Sequence, residues 1–320
     1  MKSIVVLDQK TLGDDISLDI LKKHGQLTSY EQTLSNEVES RIKNAEIIIL
    51  NKVKLNKENL KAAKKLKLIC LLATGYNNID TQFCKENGIA VCNVAGYSTN
   101  SVCQHTFALA LSLIENVRFY DDFVKSGEYT NKQIATNHEK PYNEIFGKTW
   151  GIIGMGNIGK AVANVAKAFG CRVIYYSTSG VNLSAIEYES VSLEEILQQS
   201  DILSIHCPLN EKTKNLICFN EIKTMKKSVI IINMARGGVV NENDLVNALK
   251  ENLIKGACID VFENEPILQN SQFTNKEIAQ KLILSPHIAW ASVEARNRLV
   301  SIVSDNIEQF YQGNNLNRIV

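Results

Sequence analysis

The sequence lacks any decisive excess of charge. Lys and Arg number 35 against 34 Asp and Glu, a net charge of +1. A field that weak does not select nucleic acid or an anionic membrane as the main partner. Long apolar runs are also missing: none approaches the roughly 18 residues of a membrane span. The opening MKSIVVLDQK has one early Lys and a β-branched run that stops at Asp8, shorter than the apolar region expected of a secretory leader. Eight cysteines are present, yet none forms C-x-x-C or meets a nearby His at zinc-finger spacing. No metal site is expected, and the thiols read as reduced and buried, with a nucleophilic role the minor alternative, foremost for Cys207. From these absences a cytoplasmic chain is expected.

What the sequence does contain is alternation. Residues 3–8, 46–50, 68–73 and 90–93 read as short β-rich runs, with helical stretches at 37–43, 59–65 and 79–85 between them. The lysines from Lys52 to Lys67 alternate with Leu and Ala and predict a solvated helix face. A long helix is expected from Thr99 to about Arg118, apolar almost all round and so buried between layers. Beyond a polar stretch at 130–143 a second alternation begins. Residues 149–153, 172–176, 202–206, 229–233, 257–261 and 282–285 read as strands, and 292–312 as a closing helix. Such order predicts parallel sheets with helices on both faces, and 320 residues suit two domains.

Residues 149–160 read TWGIIGMGNIGK. A G-x-G-x-x-G alone is weak, but this one follows an apolar run and opens an Ala/Val-rich helix, as dinucleotide binding requires. Gly154 would permit the tight turn, Gly156 the approach of a pyrophosphate, and Gly159 close packing of helix on strand. Asn157 and Ile158 open the helix whose free N–H groups would face the phosphates. The ribose reader expected at the end of the next strand is an acid, but Ser177 stands there and no Arg lies beside it. Nicotinamide adenine dinucleotide (NAD) is favoured, with NADP or dual use open.

Three polar residues follow apolar runs in this half. Arg236 sits in NMARGG, where a guanidinium fork suits a carboxylate; a surface Arg in a turn is the plainer reading. Glu265 sits in DVFENEP, which a solvated acidic loop would explain equally well. His287 sits in SPHIAW, in a chain with five histidines, where a structural His is the alternative. Together they match the needs of keto-acid reduction: a proton donor, a carboxylate to orient it, and a cation for the substrate.

With these motifs in order, GIIGMGNIG at 151–159, HCPLN at 206–210, NMARGG at 233–238, DVFENEP at 260–266 and SPHIAWAS at 285–292, the sequence resembles the D-isomer-specific 2-hydroxyacid dehydrogenases along its whole length. LLATGYNNID at 71–80 and CNVAGYSTNSVCQHTFAL at 92–109 are most similar to its glycerate dehydrogenase, or hydroxypyruvate reductase, branch. The resemblance implies two doubly wound α/β domains. Residues 1–98 with 290–320 would form a flavodoxin-like substrate domain, and 99–289 a Rossmann cofactor domain, with a cleft between them and a homodimer built on the cofactor domains. It implies His287 as acid–base, Glu265 as its partner and Arg236 on the substrate. Thr74, Gly75 and Tyr76 would bind the carboxylate, with Trp290 shaping the pocket. Val102, Cys207, Pro208, Met234, Ala235, Asp260, His287 and Ala289 would lie on the cofactor, Thr213 at a further cofactor position, and Asp260 would face the carboxamide or help poise the site. Two departures stand out: Ser177 in place of an acid, and Gln104 where many relatives carry Glu. A broader 2-keto acid reductase and a non-catalytic dinucleotide sensor are the competing functions.

Overall fold

The computed structural model describes residues 1–180 and 187–320. The chain divides into two compact units, Met1–Ser98 with Ala291–Val320, and Thr99–Trp290.

The first unit holds β1 (Ser3–Val6), β2 (Gln26–Ser29), β3 (Ile47–Leu50), β4 (Leu68–Leu71) and β5 (Ala90–Cys92) in one parallel sheet of order β2-β1-β3-β4-β5. This is the flavodoxin-like doubly wound order. β3 and β4 are buried at every position, as strands covered on both faces must be. β2 escaped sequence reading because it is an edge strand whose residues are largely exposed, so no apolar run marks it. The closing helix Val293–Tyr311 is capped by the Ser292 hydroxyl.

The second unit holds β6 (Thr149–Ile153), β7 (Arg172–Tyr176), β8 (Glu189–Ser190), β9 (Ile202–Ile205), β10 (Ile230–Asn233), β11 (Gly256–Ile259) and β12 (Leu282–Leu284). All are parallel, in the order β12-β11-β10-β9-β6-β7-β8. The order reverses between β6 and β9, which makes the crevice at their carboxyl ends the ligand position of a Rossmann sheet.

Two helix expectations need correction. The helix from Thr99 ends at Ile114, because Asn116 adopts a left-handed conformation (φ 54°) and a second helix, Val117–Lys125, starts afresh. The Lys52–Lys67 stretch is no continuous helix: only Lys57–Leu60 is helical, closed by the reciprocal Asn56–Asn59 cap and followed by turns. Its lysines are exposed, but on a string of short turns. Among the described residues no helix is long and apolar enough to cross a membrane, and no group of three or more His, Cys, Asp or Glu side chains gathers as a metal site.

Candidate active site

The glycine-rich turn follows β6, whose five residues are all buried. Gly154 has φ 95°, and a Cβ on it would lie 2.7 Å from the Cys207 nitrogen. Only glycine fits both the backbone conformation and the approach of the chain leaving β9. Gly154 N–H donates to the Tyr176 carbonyl at 3.0 Å, tying the turn to the end of β7. A Cβ on Gly159 would run into the Gly154 carbonyl, so the first helical turn rests on the strand. Gly156 differs: its φ is −78° and nothing lies within 4 Å of a Cβ built there. The helix Asn157–Ala168 begins at Gly156 with no side-chain cap. Open space above a glycine at an uncapped helix N-terminus fits a pyrophosphate, whose charge the free N–H groups and the helix dipole would stabilise. Asn157 is exposed and Ile158 half-buried at that entrance. Ser177, past the end of β7, is half-buried, with its hydroxyl 3.5 Å from that of Ser179. Residues 177–179 are Ser-Thr-Ser, so the strand end carries no carboxylate to reject a 2′-phosphate.

The loop after β9 carries Cys207 and Pro208. Cys207 is 3 % exposed and burial pushes its thiol up to about 11, which leaves it protonated and a poor nucleophile. Thr213 is fully buried, its hydroxyl donating to the Pro208 carbonyl at 2.6 Å and accepting from Asn210 N–H at 2.8 Å. That side chain braces the loop from inside. All eight cysteines are free thiols.

The chemistry-bearing loops leave β10, β11 and β12. After β10, the Asn233 side chain brackets its own turn, accepting from Ala235 N–H at 3.1 Å and donating to the Arg236 carbonyl at 3.0 Å. Met234 and Ala235 are each 6 % exposed and fix the turn from below. A Cβ on Gly237 would overlap the Phe262 carbonyl, so the Arg236 turn is pressed onto the loop after β11. Half-buried Arg236 donates to the Ala235 carbonyl at 2.7 Å, and among the described residues no carboxylate pairs with it. Its remaining donors are open to a substrate anion.

After β11, Asp260 is 1 % exposed and fully engaged. It accepts from the Ser285 hydroxyl at 2.5 Å and from the amides of Ile288 (2.9 Å) and Ala289 (3.0 Å). The Asp260 carbonyl accepts from His287 N–H at 2.8 Å. One aspartate thus holds the loop after β12, and it holds it under strain: His287 has φ 54°, a left-handed conformation costing about 1–2 kcal/mol for a residue with a Cβ. The result is to aim the His287 ring at Glu265, with Nδ1 2.7 Å from the carboxylate. The other Glu265 oxygen accepts from Phe262 N–H at 3.1 Å. These bonds orient the imidazole with its Nε2 edge left for a substrate. The loops of Arg236, Glu265 and His287 are therefore joined at the carboxyl ends of three neighbouring strands.

Sequence reasoning missed the braces behind this loop. His105 on the helix Thr99–Ile114 lies 2.9 Å from the Ser285 hydroxyl, which in turn reaches Asp260. Ser101 donates to the Ala289 carbonyl at 2.6 Å. Val102 on the same helix and Ala289 are buried in one apolar layer, with Trp290 half-buried against it. In the first unit, the Thr74–Tyr76 turn follows β4. Thr74 donates its hydroxyl to the Val94 carbonyl at 2.7 Å and accepts on its own carbonyl from the Asn93 side chain, also at 2.7 Å. Gly75 is half-buried and the Tyr76 ring exposed.

Comparison with known proteins gives a consistent result. The model of the D-isomer specific 2-hydroxyacid dehydrogenase NAD binding domain matches residues 107–289. The chain is 36 % identical over 321 residues to hydroxypyruvate reductase of Blautia hydrogenotrophica, covering 98 % of each. It is 36 % identical over 313 residues to glycerate dehydrogenase of Methylorubrum extorquens, covering 98 % of this chain and 97 % of the other. Among solved structures it is similar to D-lactate dehydrogenase of Aquifex aeolicus complexed with NAD and lactic acid, with TM-score 0.83, 30 % identity, and coverage of 98 % and 96 %.

Proposed function

The chain belongs to the D-isomer-specific 2-hydroxyacid dehydrogenase family, and from that premise we propose that it reduces hydroxypyruvate to D-glycerate, and glyoxylate to glycolate, with a reduced nicotinamide dinucleotide. The observation that carries the reading is the His287–Glu265 pair at 2.7 Å, with the open Arg236 fork on the adjoining loop. Relatives spanning almost the whole chain and named for hydroxypyruvate and glycerate support the choice of substrate.

The dinucleotide, when bound, supplies the hydride for the keto carbon. Gly154, Gly156 and Gly159 with the helix N-terminus hold its pyrophosphate. Val102, Pro208, Met234, Ala235 and Ala289 line its nicotinamide half, and Cys207 contributes bulk and backbone rather than thiolate chemistry. Arg236 binds the substrate carboxylate and polarises the keto oxygen, a planar fork meeting a planar acid. His287 donates the Nε2 proton to that oxygen as it gains charge, while Glu265 holds Nδ1. Asp260 acts by fixing the His287–Ala289 backbone. The Thr74-Gly75-Tyr76 amides are carboxylate-binding elements, and Trp290 shapes the pocket wall. Ser177 neither bonds a 2′-hydroxyl strongly nor repels a 2′-phosphate, so NAD is preferred with NADP accepted. A homodimer in the cytoplasm completes the reading, supported by the family and by eight free thiols that suit a reducing compartment.

The test is a steady-state panel of hydroxypyruvate, glyoxylate, pyruvate and phenylpyruvate with each reduced nicotinamide. Hydroxypyruvate should give the highest kcat/KM, with NADH ahead of NADPH. Phenylpyruvate in first place would replace the substrate assignment with a broader 2-keto acid reductase. No oxidation of either nicotinamide would remove the catalytic reading.

A further inference from the structure

The helix Thr99–Ile114 meets the strand ends of the second unit along one stripe. Ser101, His105 and Leu109 are spaced a helical turn apart and so share a face. Ser101 donates to the Ala289 carbonyl at 2.6 Å, and the Leu109 carbonyl accepts from the Cys258 thiol of β11 at 3.4 Å. Between them, His105 Nε2 lies 2.9 Å from the Ser285 hydroxyl. Of the three contacts, this one leads on to a carboxylate, that of Asp260, which holds the His287 loop.

Counting hydrogens fixes the direction of this link. A serine hydroxyl has one hydrogen to give. Ser285 gives it to Asp260 Oδ1 at 2.5 Å. Towards His105 the Ser285 oxygen therefore accepts, and His105 Nε2 carries a hydrogen and donates it. That donation selects the hydroxyl rotamer that points at Asp260. The same Asp260 oxygen accepts from Ile288 N–H at 2.9 Å, and its twin from Ala289 N–H at 3.0 Å. His105 Nε2 stands 3.8 Å from Oδ1, close enough to favour its negative charge whenever the ring is protonated. Asp260 is 1 % exposed, so the protein groups around it set its orientation. The loop it holds is bent against its preference, with His287 at φ 54°. Strain of this kind persists only while the surrounding bonds over-determine it.

We propose that His105 is a positioning residue for the proton transfer: by donating to Ser285 it sets that hydroxyl on Asp260, and Asp260 keeps the His287 imidazole at its working angle. It acts through these two side chains and not on the reacting atoms. The inference rests on the reading of His287 as the proton donor. It is tested on the full chain by steady-state kinetics with hydroxypyruvate and NADH. His105→Leu removes the donor at similar bulk and should lower kcat about 10-fold, the loss of roughly one hydrogen bond, with KM for hydroxypyruvate within about twofold. His105→Gln places an amide nitrogen near the position of Nε2 and should restore most of the turnover. Ser285→Ala breaks the same link and should cost about as much as His105→Leu. The double variant should fall no further, because the two side chains act in series. Nitrogen-15 NMR of histidine-labelled protein reads the link without activity, with His105→Gln used to assign the signal. His105 Nε2 should carry a hydrogen, and a bare Nε2 overturns the inference. A His105→Leu variant that keeps its kcat, a Gln that restores nothing, or losses that multiply in the double variant would each show a packing role and sink this inference alone. If the unmodified chain oxidises no NADH with hydroxypyruvate, the inference and the reading of His287 fail together.

Discussion

Replacing Glu265 by Gln tests the pair at the heart of the mechanism with the smallest change of shape. The carboxylate uses both oxygens, one on Phe262 N–H at 3.1 Å and one on His287 Nδ1 at 2.7 Å. Gln has a single oxygen and an NH2 group. If the oxygen stays on Phe262, the NH2 faces Nδ1 and opposes the doubly protonated ring that must give up its proton. If the amide turns round, the NH2 faces the N–H of Phe262, which is 9 % exposed and left without its acceptor. Either way one charge-assisted hydrogen bond is lost, worth about 1.5–3 kcal/mol, which corresponds to a fall in turnover of roughly 10- to 150-fold. The assay is kcat with hydroxypyruvate at the nicotinamide absorbance band, beside Kd for NADH by fluorescence. The turnover should fall and the Kd hold, because Glu265 touches the imidazole and not the pyrophosphate turn. Turnover within about twofold of the unmodified enzyme would refute the reasoning.

The glycine-rich turn allows a paired test. Gly156→Ala adds a methyl where nothing lies within 4 Å, so Tm should hold while NADH binding weakens; Gly159→Ala drives a methyl into the Gly154 carbonyl and should lower both. Arg236→Lys keeps the charge but loses the fork, and kcat/KM for hydroxypyruvate should drop roughly 10- to 100-fold with little change in NADH Kd. The buried Cys207 thiol has its pKa raised to about 11, so the reactive thiolate grows in only as pH climbs towards that value. Iodoacetamide near neutral pH should leave activity intact, and rapid inactivation through Cys207 would contradict its buried placement.

Strands covered on both faces were legible because their apolar runs have no other use in a chain of this charge. β6 and β7 were read residue for residue. β2, an exposed edge strand, and β8, two residues long, carry no such run. The helix break at Asn116 was invisible because the apolar pattern runs up to Ile114 and only backbone handedness interrupts it. At the site, Arg236, Glu265 and His287 stood out because charged groups after apolar runs demand a reason. What holds them did not. Asp260 spends its carboxylate on three donors 25 or more residues away in sequence, and His105 reaches Ser285 across 180 residues. Such bonds depend on tertiary register, which periodicity does not report.

The most direct measurement is turnover of His287→Ala with hydroxypyruvate and NADH, set against its NADH Kd. Losing the proton donor should cut kcat by about 10²- to 10⁴-fold and leave cofactor affinity unchanged. A variant that turns over at the original rate would show that the proton comes from elsewhere, and the site described here would not be the seat of the reaction.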